Sequence, residues 1–194
     1  MPSLSSFFGF GTSSEENHPT EFPGAIAIIG SGSWATAVAK IVLESVPEIW
    51  WYVRREETID DFKRMEHNPS YLTTVKFPIG RIHFSTDINE VVREADTLIF
   101  ITPSPYLKAQ LKRLKVKLHN KCIMTAIKGI VPDENVVCTE YFRTQYGVPE
   151  EQLMVLGGPS HAEEVALDRL TYLTVGCSNV ERARVMAHLL ANHY

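Results

Sequence analysis

Apolar runs and small-residue stretches alternate along this chain from residue 24 onward. Ala25–Ile29 is a continuous apolar run ending at Gly30, the pattern of a strand covered on both faces. Residues 34–43 mix small and branched apolar side chains without a breaker, which predicts a helix lying on that sheet. After Pro47, Ile49–Val53 (IWWYV) is aromatic and β-branched and predicts a second strand, with Trp50 and Trp51 facing opposite helix layers. Residues 88–95 read as helix and Thr97–Ile101 as strand. Leucines at 107, 111, 114 and 118 then predict an amphipathic helix over 106–118. Cys122–Ile127 reads as a strand, and Asp133 as the cap of a helix running to Tyr146 and stopping at Gly147. Leu153–Leu156 and Tyr172–Val175 complete the strands, and a closing helix covers Val180–Asn192. Strands alternating with helices predict an α/β fold with a mostly parallel sheet.

The segment Gly30-Ser31-Gly32-Ser33-Trp34-Ala35 joins the first strand to the first helix. Gly30 allows a tight turn, Gly32 lets backbone approach a pyrophosphate, and Ala35 lets helix and strand pack closely. The N–H groups and positive dipole end of the helix would then face phosphates. Strand, turn, helix and second strand match the roughly 30-residue dinucleotide-binding unit, so the sheet is expected to be doubly wound and Rossmann-like. Where an NAD enzyme commonly places a carboxylate on the ribose hydroxyls, this chain has Arg54 and Arg55. A guanidinium suits a 2′-phosphate or stacks on adenine, so the expected cofactor is NADP or NAD, with NADP favoured. The bland alternative pairs both arginines with Glu56 and Glu57.

Three later strand ends are compact and polar. Thr102-Pro103-Ser104-Pro105 forms a rigid turn, Lys128-Gly129 places one ammonium at the sheet edge, and Gly157–Glu164 is a Gly/Pro loop entering a helix. Lys128, Gly158 and Ser160 are therefore candidates for a second anion site opposite the cofactor.

Composition narrows the function classes. The 194 residues carry a net charge of −4, which offers no global attraction to nucleic acid or anionic membrane. The basic side formed by Lys108, Lys112, Arg113, Lys115 and Lys117 reads as a solvated helix face. Neither nucleic-acid binding nor membrane insertion is expected, since no apolar run reaches the ~18 residues of a span. Cys122, Cys138 and Cys177 form no CxxC pair, which fits a reducing cytoplasm. His188 and His193 fall on different helix faces, so no metal is expected. Residues 1–22, rich in Ser, Pro, Gly and Thr, read as a mobile leader with Phe7, Phe8 and Phe10 as surface pins, and residues 23–194 as the dinucleotide-binding domain.

The strings IGSGSWATAVA, NPSYL at 68–72, ITPS at 101–104, AIKGI at 126–130 and GGPSHAEEVA at 157–166 come in one order and spacing. In this the chain resembles the N-terminal domain of bacterial NAD(P)-dependent glycerol-3-phosphate dehydrogenase, from Gly24 to its end. The resemblance implies reversible hydride transfer between NAD(P)H and dihydroxyacetone phosphate, giving sn-glycerol 3-phosphate for glycerophospholipid synthesis. It implies that Ser33, Trp34, Arg54 and Arg55 touch the cofactor, Lys128 both ligands, Gly158 and Ser160 the substrate, and Ala162 the cofactor. It also implies a helical second domain beyond Tyr194 carrying the catalytic lysine, so no catalytic residue is expected within these 194 residues, the fragment alone is expected to be inactive, and a homodimer is admissible for the whole enzyme. Two positions depart from the pattern: Ala35 where glycine is usual, and His161 where phenylalanine is usual. The other readings are a 6-phosphogluconate-type dehydrogenase, against which the KG and GPS loops speak, and a stand-alone dinucleotide-sensing module.

Overall fold

The computed structural model describes residues 22–191. The expected leader with Phe7, Phe8 and Phe10, the Asn192 end of the closing helix, His193 and Tyr194 lie outside them. Phe22, assigned to the leader, instead packs against the core under the Arg182 guanidinium, 5.5 Å from its ring centre.

The chain runs β1 (Ile26–Ile29), α1 (Ser33–Ser45), β2 (Ile49–Tyr52), α2 (Glu56–Met65), β3 (Ile82–Ser85), α3 (Ile88–Glu94), β4 (Thr97–Phe100) and α4 (Ser104–Leu111). It continues through β5 (Cys122–Thr125), β6 (Ile130–Val131), β7 (Val136–Val137), α5 (Cys138–Tyr146), β8 (Leu153–Gly157), α6 (Ala162–Ala166), β9 (Thr174–Cys177) and α7 (Val180–Leu190). The main sheet has the order β3-β2-β1-β4-β5-β8-β9, parallel throughout except that β9 runs antiparallel to β8. This is the doubly wound α/β fold that the alternation of elements predicts.

Residue alternation within each strand builds two cores. Ile26 and Ile28 join the layer of α1, α6 and α7, whereas Ala27 and Ile29 join the layer of α3, α4 and α5. Trp51 lies fully buried in the first layer, while half-buried Trp50 packs on the second and stacks on His83 at 4.9 Å. Strand order reverses between β1 and β4, and a crevice opens at their carboxyl ends.

The structure departs from the sequence expectations at four places. First, α2 and β3 are additional elements. Helix α2 buries only Ile59 and Phe62, and its order comes from acids in the first turn and Lys63 and Arg64 in the last. Second, the helix expected over 106–118 ends at Leu111. Like charges at 108/112 and 113/117 oppose its continuation. Asn89 of α3 instead takes the N–H groups of Lys115 and Val116 and donates to the Arg113 carbonyl. Third, Asp133 caps no helix. It sits with φ 72° in the β6–β7 hairpin, and α5 begins at Cys138. Fourth, the last strand lies at Thr174–Cys177 rather than 172–175.

Arg81 closes the far end of α1. Its Nη2 donates to the carbonyls of Leu43 (2.6 Å) and Val46, and its Nε to that of Pro47 (2.6 Å). Cations belong at helix C-termini, where carbonyls lack partners. Arg81→Ala is expected to cost about 1–2 kcal/mol, since these bonds are charged but partly exposed. Chemical denaturation checks this; an unchanged midpoint would mean that water serves the carbonyls equally well.

Candidate functional site

The site grows from the turn between β1 and α1. Gly30 has φ 132°, and a Cβ there would stand 2.3 Å from the Ile101 carbonyl oxygen, so only glycine lets β1 and β4 end side by side. The turn is pinned from below by Trp51, whose indole Nε1 donates to the Gly30 carbonyl at 2.7 Å. Gly32 is the N-cap of α1. No side chain caps this end, and no acid sits in the first turn, so the N–H groups and the dipole remain available to an anion. A Cβ at Gly32 would meet no heavy atom of the described residues within 4 Å, so the backbone faces open space among them. Ala35 is fully buried, so the methyl at this position is already accommodated in the helix–strand contact.

Four further chain segments complete the walls. Exposed Arg54 and Arg55 follow β2, and Arg55 is the N-cap of α2. Glu56 and Glu57 lie in that helix's first turn, and neither pairs with the arginines among the described residues. After β4, the expected turn is in fact the start of α4, with Pro103 as N-cap and Pro105 in the first turn, and the Thr102 hydroxyl donates to Gln110 Oε1 of that helix at 2.8 Å. After β5, the chain delivers exposed Lys128, and Gly129 follows with φ 89°. The fourth wall is the 68–71 segment. Asn68 is 1% exposed there and bonds to both the phosphate turn and its own downstream backbone.

These segments enclose a cleft of about 790 Å³, a size suited to a cofactor. Gly30, Gly32, Ser33, Trp34, Arg54, Arg55 and Lys128 all line it. Among the described residues its cations are Arg54, Arg55, Arg113 and Lys128, and no Asp or Glu lines it. None of the four cations has an acidic partner among the described residues.

Three expected site residues lie apart from this cleft. Gly158 follows β8 with φ 137°, where a Cβ would meet the Tyr172 carbonyl oxygen at 2.2 Å. Ser160 donates its N–H to the Gly158 carbonyl at 3.0 Å, and Ala162 is buried at the start of α6, after the exposed N-cap His161. The parallel order of β5 and β8 puts Lys128 and this loop on the same edge of the sheet.

Several lining residues escape the sequence reading. Arg113, expected on a solvated face, is exposed and also lines the cleft, just beyond the end of α4. Tyr71 and Tyr106 also line it, 47% and 63% exposed. The exposure of two large aromatics is visible only after folding.

No group of His, Cys, Asp or Glu among the described residues could hold a metal ion, and no helix there is long and apolar enough to cross a membrane. The cysteines are free, and burial pushes the thiols of Cys122 and Cys138 up, away from nucleophilic use.

Residues 25–183 match the family model described as the N-terminus of NAD-dependent glycerol-3-phosphate dehydrogenase. The chain belongs to this family. Among curated relatives, the glycerol-3-phosphate dehydrogenase [NAD(P)+] of Bacillus pumilus is 31% identical over 87% of this chain and 49% of its own length. That of Corynebacterium aurimucosum is 30% identical over 87% of this chain and 51% of its own. The chain thus spans about half the length of the curated relatives it matches. A Plasmodium falciparum glycerol-3-phosphate dehydrogenase structure aligns over 88% of this chain and 50% of its own, with TM-score 0.75 and 27% identity. The Coxiella burnetii enzyme structure shares the fold at TM-score 0.76, with 22% identity over 88% of this chain and 51% of its own. Membership in the glycerol-3-phosphate dehydrogenase family displaces the 6-phosphogluconate-type reading.

Proposed function

We propose that this chain supplies the dinucleotide-binding half of an enzyme that interconverts dihydroxyacetone phosphate and sn-glycerol 3-phosphate, using NADP in preference to NAD. The observation that carries the reading is the charge of the cleft: four cations without acidic partners among the described residues, an uncapped helix N-terminus, and no lining carboxylate. Such a site favours a multiply anionic ligand and would repel none of its phosphates.

The residues divide the ligand among them. The turn from Gly30 to Trp34 would hold the pyrophosphate through the N–H groups opening α1. Arg54 would take a 2′-phosphate, and Arg55 would stack on adenine or add a second contact. Lys128 would sit between cofactor and substrate, with Gly158 and Ser160 toward the substrate and Ala162 beside the cofactor. When bound, the dinucleotide supplies the hydride that turns the C2 carbonyl of the substrate into an alcohol, or accepts it in reverse. Proton transfer to the C2 oxygen is assigned to a lysine outside these residues. The free cysteines fit residence in the cytoplasm.

Calorimetric titration of this chain with NADPH and NADH tests the binding half of the reading. The catalytic half is tested by dihydroxyacetone-phosphate-dependent NADPH oxidation in a protein of the relatives' length that carries this sequence. Binding of neither dinucleotide would overturn the proposal. In the same full-length protein, Lys128→Ala is expected to raise the substrate KM and to lower kcat/KM by roughly 10- to 150-fold, the scale of one charged hydrogen bond. Unchanged steady-state kinetics would make Lys128 an ordinary surface lysine.

A further inference from the structure

The NPSYL segment carries part of the family resemblance, yet the site as described gives Asn68 no chemical task. We propose that Asn68 is a positioning residue for the pyrophosphate: acting with Thr36, its side-chain amide fixes the orientation of two successive peptide groups in the phosphate turn. The proposal rests on the dinucleotide reading and names a determinant within that same site.

The geometry is fully specified. Asn68 Nδ2 donates to the Ser31 carbonyl at 3.1 Å and to Thr36 Oγ1 at 2.8 Å, while Oδ1 accepts the N–H groups of Ser70 at 2.9 Å and Tyr71 at 3.1 Å. Both amide protons and both lone pairs of the oxygen are therefore used. Thr36, fully buried, passes its own hydroxyl proton to the Gly32 carbonyl at 2.9 Å. The relay runs in one direction, from Asn68 to Thr36 to Gly32. It holds the Ser31 carbonyl directly and adds a second donor to the Gly32 carbonyl, which already accepts the Thr36 N–H at 3.0 Å, so that both carbonyls stay turned toward the protein.

Peptide planarity converts this into function. In a trans peptide the N–H points opposite to the C=O. Holding the Ser31 and Gly32 carbonyls inward therefore turns the N–H groups of Gly32 and Ser33 outward, into the cleft both residues line. Those are the first donors an anion at the α1 N-terminus meets. The other end of the amide fixes Ser70 and Tyr71, which also line the cleft. One buried side chain thereby sets the spacing between the phosphate turn and the opposite wall. Pre-set donors bind an anion without first reorganising the loop.

Two variants separate positioning from a purely structural role. Asn68→Asp keeps the acceptors for Ser70 and Tyr71 but sets an oxygen against the Ser31 carbonyl and draws the Thr36 proton away from Gly32. Thr36→Val, neutral and nearly isosteric, breaks the relay without adding charge, and Thr36→Ser restores the hydroxyl. The probes are NADPH and adenosine 2′-phosphate, which lacks the pyrophosphate, each titrated into the whole chain. Expected are losses of about 30-fold in NADPH affinity for Asn68→Asp and about 10-fold for Thr36→Val, the scale of one or two hydrogen bonds. Affinity for adenosine 2′-phosphate is expected to stay within about 3-fold throughout, and Thr36→Ser to retain NADPH binding. Equal losses for both probes would show general loosening and overturn the positioning role, as would wild-type NADPH affinity in folded Thr36→Val. Absence of NADPH binding by the unmodified chain would instead overturn the dinucleotide reading itself.

Discussion

Gly30→Ala is expected to abolish dinucleotide binding and to destabilise the fold by about 2–6 kcal/mol, combining a strained φ with overpacking against backbone. The Cβ would lie 2.3 Å from the Ile101 carbonyl oxygen and 2.9 Å from its carbon. Neither wall can yield, because Ile101 donates its N–H to Ile29 at 2.9 Å and the β1–β4 ladder continues from there. Such a loss is a large fraction of the 5–15 kcal/mol that typically separates folded from unfolded states. Gly32→Ala makes the informative contrast. Its φ of −78° suits any residue and its Cβ has no neighbour within 4 Å, so stability is expected to be unchanged. The methyl would stand in the space assigned to phosphate, and dinucleotide affinity alone is expected to fall. Denaturation midpoints and calorimetric Kd values for both variants decide the matter. A Gly32→Ala protein that binds NADPH like the wild type would move the phosphates elsewhere.

Arg54→Ala is expected to weaken NADPH by roughly 10- to 150-fold and NADH by only about 3-fold. A guanidinium gives a 2′-phosphate charge-assisted bonds of about 1.5–3 kcal/mol, and NADH has no such group. The two nearby carboxylates do not compensate, for Glu56 and Glu57 sit in the first turn of α2 and line no part of the cleft. Kd values for both dinucleotides with wild type and Arg54→Ala provide the check. Equal losses would make Arg54 an adenine-stacking residue and remove the basis for NADP preference.

The central strands were legible because a strand covered on both faces must be apolar at every position, as β1 is. The phosphate turn was legible because glycine is demanded there by backbone geometry. Helix α2 and strand β3 were not, since α2 buries only Ile59 and Phe62 and β3 only its two end residues, and the apolar signal falls to the level of a loop. The helix over 106–118 misled for a different reason. Leu114 and Leu118 do turn inward, but along a chain held by the side chain of Asn89, and side-chain capture of backbone has no periodicity. Arg113 beside Leu114 is exposed, as expected, and also borders the cleft. Asn68 shows the same blindness at the site itself: one buried amide among polar neighbours has no pattern until the turn it serves has folded.

The unpaired cations of the cleft have a consequence for the rate of encounter as well as for affinity. The chain is acidic overall, at −4, yet Arg54, Arg55, Arg113 and Lys128 gather at one concave edge that no carboxylate of the described residues lines. Field lines from such a group are focused outward by the low-dielectric walls, while the acidic remainder of the surface turns anions away. A phosphorylated dinucleotide is thus guided to one mouth of the molecule, and its association slows as ions shorten the reach of that field to about 8 Å at physiological salt.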